Sequence, residues 1–320
     1  MKSRAFTILK VLLAGSLLAY LVAAIGPAHI GRVLHALDAR YFAVLYALLV
    51  VDLVLRVFNW RALLEMKTRR LPLGGMICAY LVGGFLGSVI PSSLGTDVTR
   101  SVVAAQRHGV RVLDATLAIM VLNLLGLVAT CIMALFGSLL LLAAGGDSAM
   151  LWAIIPVCVA FLVVFPLLLR GWMPDARRPG RPRLERLLAK IGAFSAALRA
   201  FSSSPRTLAS VLGIAMLNQL LGILVVFTVA QAFDPGVPLF FFLAFVPIMT
   251  LSRLIPLSVA GLGAEQGVFV VVFAQAGIPA AQAFLMSLIL AVVNLTFVLA
   301  GGAIYGTENV RRVFRGGTQS

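Results

Sequence analysis

The chain has 320 residues, of which 61% are hydrophobic and only 12% charged, about half the charged fraction of a soluble domain. That leaves too little polar surface to clothe a water-soluble body, so the chain belongs in a bilayer. Lys and Arg number 26 against 11 acids, a formal charge of +15. These basic residues sit between long apolar runs, where topology and anionic headgroups explain them, and a nucleic-acid partner is not expected.

A spanning helix needs about 20 apolar residues. Residues 6–25, 41–60, 115–142, 150–169, 207–230 and 281–305 each supply such a stretch. The first follows Lys2 and Arg4 and resembles a signal peptide, but the membrane character of everything downstream favours an uncleaved span. The stretch at 115–142 is long enough to need tilt or an overhanging end.

Two other apolar regions are interrupted. Residues 72–90 run into PSSLGTDVTR, and residues 239–255 run into IPLSVAGLGAEQG before a second apolar run at 267–276. Each is an apolar arm, a Pro/Ser/Gly break, an acid and a further short arm. Irregular backbone at membrane depth survives only where protein buries it or water reaches it. Both regions are therefore expected to be re-entrant helix pairs that return to the side they entered.

Charge tests this topology. With the N-terminus in the cytoplasm, six crossings and two returning pairs, 22 of the 26 basic residues fall on the cytoplasmic side. Arg32 and Arg40 fall outside, while Arg56 and Arg253 fall within the membrane. If the first pair crossed fully, Arg100, Arg107 and Arg111 would move to the face that positive charge avoids.

The same order of elements occurs twice, in residues 1–142 and in 143–169 with 207–305. Each half crosses three times, so the second half is inserted upside down. The tips also match: Pro91, Ser93, Gly95 and Asp97 against Pro256, Ser258, Gly261, Gly263 and Glu265. Paired interrupted helices in inverted halves build the central site of many transporters. The expected fold is thus an all-α polytopic membrane protein, about six spanning helices plus two re-entrant pairs in inverted repeats. Residues 170–206 form a basic cytoplasmic loop too short for a catalytic domain, and 306–320 a cytoplasmic tail.

Ionisable groups at membrane depth cost roughly 2.5–3.5 kcal/mol each on insertion scales, so each asks for a reason. Asp52 and Arg56 lie four apart on one helical face, as a structural ion pair or as the polar wall of a headgroup pathway. Asp97 follows the first break, where an acid also suits a helix N-cap. Arg100, Arg107 and Arg111 share a face of the helix it opens, a phosphate-binding face or an interfacial one. Arg253 and Glu265 lie deep in apolar sequence and could pair across the second hairpin. Asn123, Asn218, Gln219 and Asn294 read mainly as interhelical hydrogen-bonding residues. The glycines at 83–87 and 261–267 suit close helix packing or hinges.

No Ser–His–Asp set, paired carboxylates or phosphate loop appears. Cys78, Cys131 and Cys158 lie in apolar stretches without a CxxC or nearby histidine, so they read as free thiols. No catalytic residue, metal site or cofactor is assigned.

The Arg56-x-x-Asn59-Trp60 end of the second span, PSSLGTDVTR and PLSVAGLGAEQG resemble the lysylphosphatidylglycerol synthase transmembrane family, also called flippase-like or UPF0104. The resemblance runs over nearly the whole chain and includes the order of the elements. In the full-length synthases this region precedes a soluble aminoacyl-transferase domain and is associated with moving the aminoacylated lipid between leaflets. That domain is expected to be missing, because the sequence stops at Ser320, soon after its last span. Stand-alone relatives occur beside polyprenyl-glycan, hopanoid and envelope-lipid genes. The resemblance implies lipid handling in the bacterial inner membrane, with Pro91, Gly95, Asp97, Arg100, Gly261, Gly263 and Glu265 as candidate site residues.

The functional expectation is a flippase-like protein, both termini cytoplasmic, that translocates or handles an envelope lipid or lipid-linked precursor. The headgroup would touch Asp97, Arg100, Arg253 and Glu265, with Asp52 and Arg56 along its path. The alternatives are an intramembrane lipid-modifying transferase and a membrane scaffold that recruits partners through its basic loop. Expected partners are membrane lipids with anionic headgroups, and homo-oligomers are allowed.

Overall fold

A computed structural model describes residues 39–88, 93–146, 149–169, 205–233, 236–252 and 264–316. The expected first span at 6–25 and the basic loop at 170–206 lie largely outside these residues. Described are nine helices: α1 (Ala39–Glu65), α2 (Leu73–Ser88), α3 (Ser93–His108), α4 (Val112–Ala143), α5 (Ala149–Leu169), α6 (Pro205–Gln231), α7 (Leu239–Ser252), α8 (Ala264–Ala274) and α9 (Ala280–Gly316). Four of them, over 40–65, 112–143, 206–231 and 280–307, are long and apolar enough to cross a membrane. The all-α polytopic expectation holds.

The bundle has one basic end. Trp60 near the end of α1 donates its indole N–H to the Ala115 carbonyl at the start of α4, at 3.2 Å. Buried Asn59 donates to the Val211 carbonyl at the start of α6, at 2.9 Å, so α1 and α6 run antiparallel. The start of α2 meets the end of α3, where a Cβ on Gly75 would sit 2.9 Å from His108 Nε2. At the opposite end of this pair, a Cβ on Gly87 would sit 2.6 Å from the Thr96 Cα. α2 and α3 thus form a hairpin whose outer ends lie side by side. Each arm has 16 residues, about 24 Å against a hydrocarbon core of about 30 Å. α7 and α8, of 14 and 11 residues, are also antiparallel, with the Phe241 and Phe242 rings of α7 tilted against Phe273 of α8. The 256–263 tip lies outside the described residues.

Apolar packing divides between two large buried clusters, with a small third around Cys131, Ala134 and Cys158. One, around Trp60, Leu63, Leu64, Met76 and Ala115, fills the basic end. The other, around Phe241, Phe242, Phe245, Phe269 and Phe273, fills the far end. Large apolar side chains also face outward, such as Trp152, Val157 and Val163 on α5 and Leu295 and Leu299 on α9, as lipid-facing helices require.

Exchanging α1 with α6, α2 with α7, α3 with α8 and α4 with α9 maps most helix contacts onto one another. The α2–α9 contact becomes α7–α4, α3–α4 becomes α8–α9, and α1–α6 maps onto itself. Matching glycines make two close crossings: Gly301 of α9 against the Leu81 backbone of α2, and Gly137 of α4 against the Leu243–Ala244 backbone of α7. The α4–α6 contact lacks a counterpart of similar extent.

Three expectations need correction. Arg111 does not lie on α3: Gly109, at φ +68°, turns the chain after His108 in a conformation that side chains resist, and Arg111 instead precedes α4. Asp97 is not an N-cap, because α3 begins at Ser93 and has no acid in its first turn. Arg100 lies eight residues inside the basic end of α3, about 12 Å along the helix, rather than at the surface with Arg107. The last helix also runs on to Gly316, since nothing in GTENVRRVFRG breaks it after Gly306, so most of the expected tail is helical.

Candidate functional site

A hairpin arm can approach another closely only where side chains are small, and α2 supplies that surface. A Cβ on Gly83 would overlap the Arg100 backbone. A Cβ on Gly84 would stand 3.5 Å from Arg100 Nη2, so the two glycines form a slot in which the Arg100 side chain lies. One turn earlier, the Tyr80 ring lies 3.8 Å beneath the guanidinium carbon, a cation–π stack. Tyr80 is itself fixed edge-on against Trp60, with ring centroids 6.4 Å apart.

Asp97 lies one turn before Arg100 and accepts from its Nη1 at 3.2 Å on Oδ1. Its other oxygen, Oδ2, accepts from Asn123 Nδ2 of α4 at 2.7 Å. A second acid on α1 repeats the arrangement. Asp52 accepts from Arg56 Nη2 at 3.0 Å on Oδ2, and from Asn218 Nδ2 of α6 at 2.7 Å on Oδ1. The same amide also reaches the Asp52 carbonyl at 2.9 Å. Tyr80 links the two acid–base pairs into one cluster: its ring lies under Arg100 and edge-on against Trp60, one turn after Arg56 on α1. Thr130 of α4 and Gln219 of α6, 3.2 Å apart, add a polar contact between those two helices.

Asp52, Arg56, Asp97, Arg100, Asn123 and Asn218 lie about 12–20 Å along their helices from the basic end, from 8 to 13 residues at 1.5 Å each, a distance near half the hydrocarbon thickness. The cluster is not sealed. The Arg56 side chain is 45% exposed and Asn123 is exposed, while Asp97 and Arg100 are mostly covered, at 17% and 21%. Arg100 Nε is buried without an acceptor. The arrangement can receive an anion on either guanidinium, and the low-dielectric surroundings strengthen such a contact.

Four of the expected site residues, Asp52, Arg56, Asp97 and Arg100, are thus brought together. Gly95 lies in the first turn of α3, and of Ser93 and Glu265 only helical backbone is described. Pro91, Arg253, Pro256, Ser258, Gly261 and Gly263 lie outside the described residues. Tyr80 went unnoticed in the sequence, although an aromatic one turn before a glycine pair was the available signal. Asn123 and Asn218 do connect helices as expected, and the groups they connect to are the two site acids.

At the basic end, Lys67, Arg69, Arg70, Arg111 and Arg206 are exposed. Glu65 is engaged there by Arg61 at 2.8 Å and by the Leu71 N–H at 2.7 Å, and Asp114 lies 3.8 Å from Arg111.

No curated protein and no solved structure matches the chain. The model of the lysylphosphatidylglycerol synthase TM region matches residues 7–302, which takes in every element of the cluster. The chain is an integral membrane protein of the lysylphosphatidylglycerol synthase transmembrane family.

Proposed function

We infer that the protein is a flippase-like translocator of the bacterial inner membrane, carrying the headgroup of an envelope lipid or lipid-linked precursor between leaflets while its tails stay in lipid. One observation carries this reading. Two acid–base pairs and two amides from α1, α3, α4 and α6 converge near half membrane depth, and the cluster is open at Arg56 and Asn123. Charged groups at such depth mark a substrate path more often than a structural need.

The helix geometry supports the rest of the scheme. The α2–α3 hairpin acts as a re-entrant pair that brings Asp97 and Arg100 to the middle of the bilayer. The exchange of helix contacts between α1–α4 and α6–α9 supports two inverted halves that alternate access. Exposed Lys67, Arg69, Arg70, Arg111 and Arg206 gather anionic headgroups on the cytoplasmic side. Arg253 and Glu265 remain headgroup-contacting candidates of this reading, from their charge within apolar sequence.

The test is reconstitution into vesicles holding trace tail-labelled phosphatidylglycerol, phosphatidylethanolamine or undecaprenyl phosphate, with quenching from outside. The wild type is expected to expose the inner-leaflet pool of one of these lipids, and Arg100→Gln and Glu265→Gln to abolish that exposure while keeping the detergent elution profile. Exposure by the wild type no faster than in protein-free vesicles for all three lipids would sink this reading.

A further inference from the structure

The two acid–base pairs share a plan that translocation alone does not require. Asp97 is held twice, by Arg100 from its own helix and by the neutral amide of Asn123 from α4. Asp52 is likewise held by Arg56 and by Asn218 from α6. The arginines are held less completely. Arg100 places one N–H group on Asp97, leaves its buried Nε without an acceptor, and rests its flat face on Tyr80. A guanidinium has five donors in a fork that fits phosphate oxygens. A buried carboxylate that loses its arginine is normally left as a costly unpaired charge. Here an amide donor stays with each carboxylate, so the arginine can be released at a lower cost.

We propose that Asp97 and Asp52 are place-holders: they occupy on Arg100 and Arg56 the positions that a phosphate-bearing ligand takes on entry, while Asn123 and Asn218 retain the displaced carboxylates. The proposal rests on the translocation reading and deepens it by assigning the ligand's chemistry. The recognised group is a phosphate ester or free phosphate, and an uncharged headgroup does not qualify. The return of each carboxylate to its arginine then expels the ligand. Neutralising a place-holder therefore tightens phosphate binding and slows release, whereas neutralising an acid that contacts the ligand itself would weaken binding.

The full-length chain in detergent is compared by native mass spectrometry with palmitoyl-oleoyl-phosphatidylglycerol, with palmitoyl-oleoyl-glycerol as its phosphate-free counterpart, and with inorganic phosphate. The wild type is expected to retain the phospholipid over the diacylglycerol, and Arg56→Gln and Arg100→Gln to lose at least ten-fold of that retention. Asp97→Asn and, independently, Asp52→Asn are expected to retain several-fold more than the wild type. If inorganic phosphate binds with the same pattern and the phospholipid does not, the place-holder role stands and the ligand is free phosphate. If both Asp→Asn variants lose the phospholipid as the arginine variants do, the place-holder role falls and the translocation site stands. Equal retention of phospholipid and diacylglycerol by the wild type overturns the phosphate assignment. Phospholipid retention unchanged in both arginine variants removes the site itself.

Discussion

Asn123 donates its side-chain amide to Asp97 Oδ2 at 2.7 Å, shorter than the 3.2 Å bond between Asp97 and Arg100 on the same helix. The contact ties the α2–α3 hairpin to α4, 11 residues inside the start of that helix. Asp97 thereby has two donors from two directions, and its charge is compensated without sealing Arg100 away.

Loss of that amide should be felt in stability before it is felt in anything else. Asn123→Ala removes a hydrogen bond to a carboxylate and should cost about 1–3 kcal/mol. Asn123→Asp sets a second carboxylate against the first and should cost more. Thermal unfolding in detergent should rank wild type above Asn123→Ala and Asn123→Asp last. An Asn123→Asp protein as stable as the wild type would show that the two side chains are apart.

The glycine slot in α2 predicts unequal effects at adjacent positions. Gly83→Ala drives a Cβ into the Arg100 backbone, which cannot yield as a side chain would. Overpacking of this kind costs about 1–3 kcal/mol, occasionally more, and should open the hairpin. Gly84→Ala meets Arg100 Nη2 at an ordinary 3.5 Å and should be tolerated. Expression yield and melting temperature of the two variants provide the comparison, and equal losses at both would refute the slot.

The two glycine crossings, at Gly137 and Gly301, should respond alike. Gly137→Val and Gly301→Val each push side-chain atoms into a facing helix backbone and should both lower the melting temperature. Gly126→Ala and Gly222→Ala meet nothing within 4 Å. They should be neutral or stabilising by up to about 1 kcal/mol, the usual helix preference for Ala over Gly.

Re-entrance of the α2–α3 pair is open to a labelling experiment. In a protein with Cys78, Cys131 and Cys158 replaced by Ala, single cysteines at Lys67 and Arg111 flank the hairpin. An impermeant maleimide should reach both from the same side of sealed vesicles. Labelling from opposite sides would mean that the pair crosses the membrane.

Much was legible in the sequence because it depends on local properties. Apolar run length sets which helices can span, and four of the expected stretches appear as long apolar helices. The spacing of Asp52 and Arg56 already made them neighbours on one face, as their 3.0 Å contact shows. What the sequence could not supply was partnership across distance. Which acid would meet Asn123 or Asn218, and that Tyr80 would lie under Arg100, depends on how far α3 sinks against α2 and how α1 crosses α6. Those relations are fixed by glycine contacts and helix crossing, which join residues as much as 166 positions apart, as between Asn218 and Asp52. Sequence by itself determined the membrane class, the helices and the charged residues that need a reason. Tertiary packing alone decided that four of those residues form one open polar cluster, because only close backbone approach brings side chains from separate helices within hydrogen-bonding range.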